Sequence, residues 1–266
     1  MLIDLHVHSR ATAGCELDAA KVLAKAEQLG LDAVAFTDLN SLSAAKELLA
    51  AGQGKGVKVF VGVELSTDHG HYLAFFPEPT NVPEPAQLFG DSSKGWPARE
   101  VLEKVASLGG VAIAAHPYDR DVERPSGDYI FTLKDRLVAI EGLNGRRKPG
   151  VNDLAVEASE HMALPCVGGS GASTMLDEVG KAATWFKEKV STHAELVAAL
   201  KGGQYFPVGA GRPPPLSELA RAPKNTGERF DRGDRGDRGG RDRDRRGGRG
   251  GGRDRRGGRG GGRDRR

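Results

Sequence analysis

The sequence is poor in the features that mark secreted and membrane proteins. Its 266 residues include only two cysteines, Cys15 and Cys166, which are too few for a disulfide framework. No apolar run reaches the ~20 residues that a membrane-spanning helix needs. The N-terminus has neither the basic region nor the long apolar region of a secretory signal. These absences predict a soluble protein of the reducing cytoplasm, without a membrane partner.

Excess positive charge is missing from most of the chain. Residues 224–266 contain 17 Lys and Arg against 8 Asp and Glu, a surplus of nine, and since the whole chain carries +3, residues 1–223 carry −6. The body is therefore mildly acidic, and the basic character belongs to the C-terminal tail. With 38% apolar residues, a chain of this length can build a substantial core.

Apolar periodicity predicts short strands that alternate with amphipathic helices up to residue 200. Such alternation is typical of parallel strands joined by crossovers, in a barrel or in an open doubly wound sheet. In both architectures the functional site lies at the C-terminal ends of the strands. The predicted strands are 2–9, 33–37, 57–63, 71–76, 111–115, 137–141, 164–168 and 182–186, the last one. The predicted helices are 18–30, 41–52, 97–109, 153–162 and 192–200. The segments 77–85 and 118–135 are predicted to be a connector and an irregular loop.

The first strand ends in a His-x-His pattern. Alternate residues of a strand point to the same side, so His6 and His8 are expected to project into one space. Two imidazoles in one space are typical of a metal site. The alternative is a pair of hydrogen-bonded core histidines.

Further polar residues follow the ends of other predicted strands. Taken singly, each has a structural explanation: Asp38 would cap the next helix, Glu141 would pair with Arg146 or Arg147, and His116 would be a core histidine. Taken together they predict a metal site, while His161 and His193 are assigned structural roles. The residues at strand ends are His6, His8, Asp38, Glu64, His116 and Glu141.

With these residues in view, the chain resembles the PHP domain family, the polymerase-and-histidinol-phosphatase type of metal-dependent phosphoesterase. The resemblance runs from Met1 to about Val208. It implies an α/β fold, a distorted (β/α)7 barrel with up to three metal ions in its mouth, and hydrolysis of phosphate esters. The motifs that carry it are Asp4-Leu5-His6-Val7-His8-Ser9, Thr37-Asp38, Gly62-Val63-Glu64, His71-Tyr72-Leu73, Ala115-His116-Pro117 and Gly169-Ser170.

The same resemblance implies the metal ligands. One ion would be held by His6, His8 and Glu64, and a second by Glu64, His71 and His116, with zinc, manganese or a similar divalent metal expected. His69, two residues before His71, is an alternative to it.

Four positions depart from the family pattern. Ala13, Leu39 and Ser173 stand where the ligands of the third ion are expected, and Gly171 stands where the first ion's carboxylate is expected. The sequence therefore predicts one or two ions, or none, and loss of the third. Cys15 and Glu16 are alternative ligands in the first loop, although a buried thiol and a solvated carboxylate are the preferred interpretation.

Two functions fit this pattern, and the catalytic residues are not identified. In one, the remaining ions polarise the phosphate of a phosphorylated small molecule while Arg146, Arg147 or Lys148 helps to hold it. In the other, catalysis is lost and the barrel is a folded platform for binding.

The sequence divides into a barrel domain at 1–208, a Pro-rich linker at 209–223 and a tail at 224–266 rich in Arg, Gly and Asp. The tail is too poor in apolar residues to order itself by burial, so disorder is predicted. Its Arg-Gly-Gly units resemble RNA-binding segments and predict weak, salt-sensitive binding of RNA or another polyanion. A solubilising tail, or one that binds the acidic body, is the alternative.

Overall fold

The computed structural model of the chain describes residues 1–209. The predictions for residues 210–266, namely the linker, the disordered tail and its Arg-Gly-Gly units, lie outside the described residues. Within residues 1–209 the elements are β1 (Leu2–Val7), α1 (Ala19–Gln28), β2 (Ala33–Leu39), α2 (Ala45–Ala51), β3 (Lys58–Thr67), β4 (Gly70–Phe75), α3 (Pro85–Phe89), α4 (Ala98–Ser107), β5 (Val111–Ala115), β6 (Ala139–Asn144), α5 (Pro149–Met162), β7 (Cys166–Gly169), β8 (Ala182–Phe186), α6 (His193–Gly202) and β9 (Tyr205–Gly209).

The strands form one sheet in the order β7-β6-β5-β4-β3-β2-β1-β8-β9. Strands β1 to β3 run parallel to one another, as do β5 to β7, whereas β4 is antiparallel to both of its neighbours and β8 is antiparallel to β1. The sheet curls until the chain after β7 reaches β1, where Ala172 bridges Val7. The amide of Gly171 donates to the carbonyl of His6 at 2.7 Å, and that of His8 donates to Ala172 at 2.8 Å. This nearly closed α/β barrel confirms the predicted fold class.

Alternate residues of the strands belong to two different buried hydrophobic clusters. Val59 and Val61 on β3 pack with residues of α1, α2 and α4, whereas Phe60 packs with Leu73 on β4 and with residues of α6. Since side chains repeat every second residue, Glu64 lies on the same face of β3 as Phe60. The apolar residues of this face therefore support a carboxylate at one end of the barrel.

Local capping fixes the first and last helices where the sequence predicts them. Asp18 accepts a hydrogen bond from the amide of Lys21 at the start of α1. Thr192 and Glu195 form the predicted capping box of α6. The β3–β4 link is a tight hairpin, as predicted, with Gly70 at φ 91°.

Several boundaries differ from the prediction. Helix α2 begins at Ala45 rather than after Ser41, and α5 begins at Pro149, which suits a first helical turn. The Pro-rich connector contains a 3-10 turn and α3, and 3-10 turns also run through Gly127–Arg136. A ninth strand, β9, follows the one predicted as the last.

No helix in the described part of the chain has the length and apolar character needed to cross a membrane.

Candidate metal centre

The five predicted metal ligands converge on one carboxylate, that of Glu64. His6 and His8 come from β1, Glu64 from β3, His71 from β4, and His116 directly follows β5. His71 is the second residue of β4, but β4 is antiparallel, so its first residues meet the C-terminal ends of its neighbours. The distances are 3.6 Å from His6 Nε2 and 3.2 Å from His8 Nε2 to Glu64 Oε2, and 2.9 Å from His71 Nδ1 and 3.1 Å from His116 Nε2 to Glu64 Oε1.

The cluster is shielded from water. Ligand atoms of His6, Glu64 and His116 all lie within 4.8 Å of one another, and these three residues are buried. His71 is the most open member, with 17% of its side chain exposed. Burying four imidazoles around one carboxylate is costly unless these groups pair with one another or bind an ion, because buried polar groups need partners.

A hydrogen-bond chain fixes the tautomer of His8. The hydroxyl of Thr12 donates to Asp38 Oδ1 at 2.8 Å and accepts from the amide of Leu39 at 2.9 Å. His8 Nδ1 lies 3.0 Å from the same hydroxyl oxygen, whose proton is already directed at Asp38. Nδ1 of His8 must therefore carry the proton, and its Nε2 presents a lone pair to Glu64.

His6 is fixed in the same way by a second carboxylate. Its Nδ1 donates to Glu141 Oε1 at 2.8 Å, so when the ring is neutral its lone pair is on Nε2, which faces Glu64. Glu141 is held in turn, since its Oε2 accepts from the amide of His116 at 2.9 Å and from the Asn144 side chain at 3.1 Å. Although burial would raise the pKa of Glu141, the charge of His6 and its hydrogen bond lower it.

The donor set fits a divalent cation. In their neutral forms His6 and His8 direct Nε2 lone pairs at the space that a Glu64 carboxylate oxygen also faces, and these three acceptors repel one another unless a proton or a metal cation lies between them. Burial would lower the pKa of His6, but Glu141 and Glu64 raise it to about 10, and the surrounding imidazoles hold the pKa of Glu64 well below its usual range despite burial. The space therefore attracts positive charge, and imidazole nitrogen with carboxylate oxygen is a donor set that zinc and manganese accept.

His116 lies in a strained backbone conformation at the edge of the cluster. Its φ of 27° falls in the left-handed region, which is uncommon for residues other than glycine. The hydrogen bond from the His116 backbone amide to Glu141 Oε2 holds this conformation. On the far side of the ring, Nδ1 lies 4.0 Å from the buried carboxylate of Asp119, whose Oδ2 is 2.8 Å from Arg147.

The positions predicted to have lost their ligands form two groups. Ala13 is exposed and Leu39 half-buried on the side of the first loop. Gly171 has a φ of 66°, and a Cβ added there would lie 2.8 Å from the Asn144 amide nitrogen. Asn144 therefore fills the space in which an aspartate at position 171 would begin.

Arg146 contacts both of the lost-ligand positions that follow β7. Its guanidinium donates to the carbonyl of Gly171 at 3.3 Å and to the hydroxyl of Ser173. Its Nε lies 3.2 Å from Glu178, which also accepts from the amides of Thr174 and Met175. Although burial raises the pKa of Glu178, these amide hydrogen bonds lower it to about 2.

The other predicted candidates lie elsewhere. Lys148 is exposed at the start of α5. His69 stacks on Tyr129, with ring centroids 3.7 Å apart. Cys15 is buried, which raises the pKa of its thiol, and Glu16 is exposed. Both agree with the interpretation of a buried thiol and a solvated carboxylate.

Two structural interpretations of the sequence are wrong. Asp38 caps no helix but accepts from the amide and hydroxyl of Ser9. Glu141 pairs with His6 rather than with Arg146 or Arg147.

Sequence reasoning missed several supporting residues, namely Thr12, Asp119, Asn144 and Glu178. All four are buried and polar, with relative exposures of 7%, 2%, 1% and 5%. None lies at a strand end that the periodicity identified. Asn144 does end β6, but the sequence predicts that strand to end at Glu141. Their only sequence signal is a position close to a predicted site residue.

Two family models match the chain. The PHP domain model matches residues 4–124, which include all five predicted ligands, and the PHP-associated model matches residues 149–205. An uncharacterized protein of Methanocaldococcus jannaschii is 29% identical over 167 residues, covering 59% of this chain and 90% of that protein.

Solved structures share the fold. PsfC of Pseudomonas syringae is 18% identical with a TM-score of 0.61, covering 83% of this chain and 96% of its own. A two-domain Bacteroides vulgatus protein containing a predicted PHP-like metal-dependent phosphoesterase is 15% identical with a TM-score of 0.60, covering 84% and 68%. An amidohydrolase of Chromobacterium violaceum is 18% identical with a TM-score of 0.53, covering 72% and 92%.

Proposed function

Because this chain belongs to the PHP domain family, we propose that it is a metal-dependent phosphoesterase with one or two divalent ions and slow or altered turnover. The observation that carries the proposal is the pair of fixed tautomers at His6 and His8. When neutral, both imidazoles have their lone pairs on Nε2, facing Glu64, because Glu141 and Thr12 occupy their Nδ1 atoms. A retained fold alone does not require this arrangement.

The proposed ligands are the five residues around Glu64. His6, His8 and Glu64 would hold one ion, and Glu64, His71 and His116 a second, so that the carboxylate serves both. A divalent ion bound there polarises a phosphoryl oxygen and lowers the pKa of bound water. The chain's contribution is to fix the ligand atoms in a dry site before the ion binds.

Arg146 is the residue that we propose to hold the substrate phosphate. It stands beside Gly171 and Ser173, two positions where the family has metal ligands. Among residues 1–209, its Nη2 has no acceptor, while Nε and Nη1 are held by Glu178 and the chain at 171–173. A guanidinium held at two of its nitrogens can direct the third to a phosphate oxygen. Arg147 is tied to Asp119, and Lys148 is free to add charge at the rim.

The presence of the Arg146 guanidinium where the family has metal ligands explains why turnover is expected to be slow. A guanidinium neutralises phosphate charge and orients it, but it does not lower the pKa of water as a metal ion does. In this proposal the chain retains phosphate binding where the third metal ion is expected, and it loses the metal chemistry of that ion.

The second candidate function is a folded binding platform without turnover. The observation that favours it is the missing carboxylate at Gly171, where Asn144 leaves no room for a replacement. With that ligand absent, the first ion is held by fewer protein atoms, and its affinity is expected to be lower.

Metal analysis combined with activity measurements separates the two candidates. The wild type, His116→Ala and the control His161→Ala, whose exposed side chain lies in α5 away from the centre, are compared after loading with zinc or manganese. Phosphomonoesters, short oligonucleotides and a chromogenic diester are the substrates. We expect one or two ions and turnover in the wild type and control, and loss of turnover together with the ion that His116 holds in His116→Ala. Absence of turnover, with or without bound metal, would support the platform instead.

For the tail we propose binding of RNA or another polyanion, which is supported by the Arg-Gly-Gly composition of residues 224–266. Phosphate contacts release counterions, so the affinity should fall steeply as salt rises. RNA titrations of the full chain and of a chain ending at Gly211, at low and moderate salt, test this. Equal binding by both would assign the interaction to the barrel.

A further inference from the structure

A cavity opens at the end of the barrel opposite the metal centre. It has a volume of about 830 Å³, and it is lined by Met1, Asp32 and Lys58, where β1, β2 and β3 begin. Lys187, at the end of the antiparallel β8, lines it as well. Catalytic groups of such barrels lie at the C-terminal ends of the strands, so this cavity is no part of the centre described above.

Positive charge dominates the lining of this cavity, although residues 1–223 carry −6 overall. We refer to it as the cationic cleft. A local reversal of sign on an acidic body concentrates anions at that point. Among the described residues that line the cleft, Asp32 is the one acid, and its Oδ2 already accepts from the amide of Leu2 at 2.6 Å. The lysines are Lys55, Lys58, Lys187 and Lys189.

Two acids near the lysines in the sequence are directed elsewhere, while the carboxylate of Glu27 lies against Gly56 at one edge of the cleft. Glu188 stands between two of the lysines in the sequence, yet it lines a separate cavity. Glu195 at the start of α6 is occupied, since its carboxylate accepts from the amides of Ser191 at 2.6 Å and Thr192 at 3.3 Å. The lysine charges are therefore not cancelled by the acids beside them in the chain.

One imidazole adds a donor to the same space, beside a loop whose amides at Gly52, Gln53 and Lys55 donate to backbone carbonyls. The loop Gly52-Gln53-Gly54-Lys55-Gly56 lines the cleft, apart from Gly54, whose φ of 70° requires glycine. His193 Nε2 accepts from the amide of Val61 at 2.9 Å, so its Nδ1 carries the proton and is a neutral donor. Lys58 is oriented by donation to the carbonyl of Ser191 at 2.8 Å.

We propose that the cationic cleft binds a polyphosphate group, two or more adjacent phosphates, either as inorganic polyphosphate or as part of a nucleoside polyphosphate. Several separated ammonium groups match a ligand whose charges are spread over neighbouring phosphates better than a single phosphate. The volume is that of a small-molecule site. Leu49 and Val59 add an apolar wall that a nucleoside can contact.

Calorimetric titration of the full-length protein with inorganic tripolyphosphate, after removal of metal with a chelator, tests this independently of the phosphoesterase proposal. The variant is Lys55→Gln combined with Lys187→Gln, and the control is Lys21→Gln combined with Lys46→Gln, two exposed lysines outside the cleft. We expect about tenfold weaker binding in the variant, because two screened charge pairs are lost, and no change in the control. Any binding by the Arg-rich tail is common to all three proteins. Equal affinity in all three would overturn the proposal.

Amide chemical shifts locate the ligand and distinguish its sources. Addition of tripolyphosphate or a nucleoside diphosphate should shift the amide resonances of Gly52, Gly54 and Gly56. Tighter binding of the nucleoside diphosphate than of pyrophosphate would support a nucleotide ligand, and equal binding would support inorganic polyphosphate. Shifts confined to residues outside the cleft would refute a polyphosphate site at this end of the barrel.

Discussion

Replacing Glu178 with glutamine should destabilise the barrel in a way that depends on pH. The Glu178 carboxylate holds Arg146 and accepts hydrogen bonds from the amides of Ser173, Thr174 and Met175. These bonds lower its pKa from 4.5 to about 2. At about 1.4 kcal/mol per unit this corresponds to ~3 kcal/mol, and with screening by solvent at the barrel mouth we expect about 2 kcal/mol.

The sign follows from the direction of the shift. Because the folded state binds the proton less tightly than the unfolded state, the carboxylate contributes its full stability above pH 4.5 and loses it as the pH falls towards 2. The stability difference between wild type and Glu178→Gln should therefore be constant from pH 7 to about 5 and shrink below that.

Urea unfolding of both proteins across this pH range measures the difference, and thermal unfolding at pH 7 should show a Tm lower by about 4–8 °C in the variant. The control is Asp177→Asn, one residue away, whose side chain is 86% exposed. It should change stability by no more than about 0.5 kcal/mol. A difference that stays constant down to pH 3, or a control as damaging as the variant, would refute the reasoning.

Three further changes test other parts of the structure. Thr12→Val removes the acceptor of His8 Nδ1 and should weaken metal binding about 10–100-fold, measured by competition with a chromogenic chelator; unchanged affinity would show that Thr12 does not set the tautomer. Gly171→Asp should cost about 1–3 kcal/mol because of its positive φ and the nearby Asn144, without adding an ion in metal analysis; a gained ion would contradict this. A chain ending at Gly211 should keep a cooperative melt, since every described element precedes that point, and loss of the melt would refute the predicted domain boundary.

The ligands on parallel strands could be predicted from the sequence because they obey simple geometry. His6 and His8 follow from alternation on one strand, and Glu64 from its place at the end of another. His71 does not follow from this rule, since it is the second residue of an antiparallel strand, and only the family resemblance identified it. The strand rule thus depends on direction, which periodicity does not reveal.

The supporting hydrogen bonds could not be predicted because they depend on how distant segments approach. Glu141 reaches His6 across 135 residues of sequence, and nothing local indicates that contact. Strand β9 was missed for a different reason: it is short, and Pro207 within it argues against a strand except at a sheet edge, where β9 lies.

The bridging position of Glu141 has a consequence for how this centre changes over evolution. One buried carboxylate ties the ring of His6, the backbone of His116 and the side chain of Asn144, so the same contacts serve the centre and the barrel wall. Removing one partner of a buried ion pair leaves an uncompensated charge and costs about 3–5 kcal/mol, a large part of a domain's stability. Loss of one member of this cluster therefore costs stability as well as metal binding. We expect substitutions there to accumulate as compensated sets, whereas rim positions such as Ala13 and Leu39 drift singly.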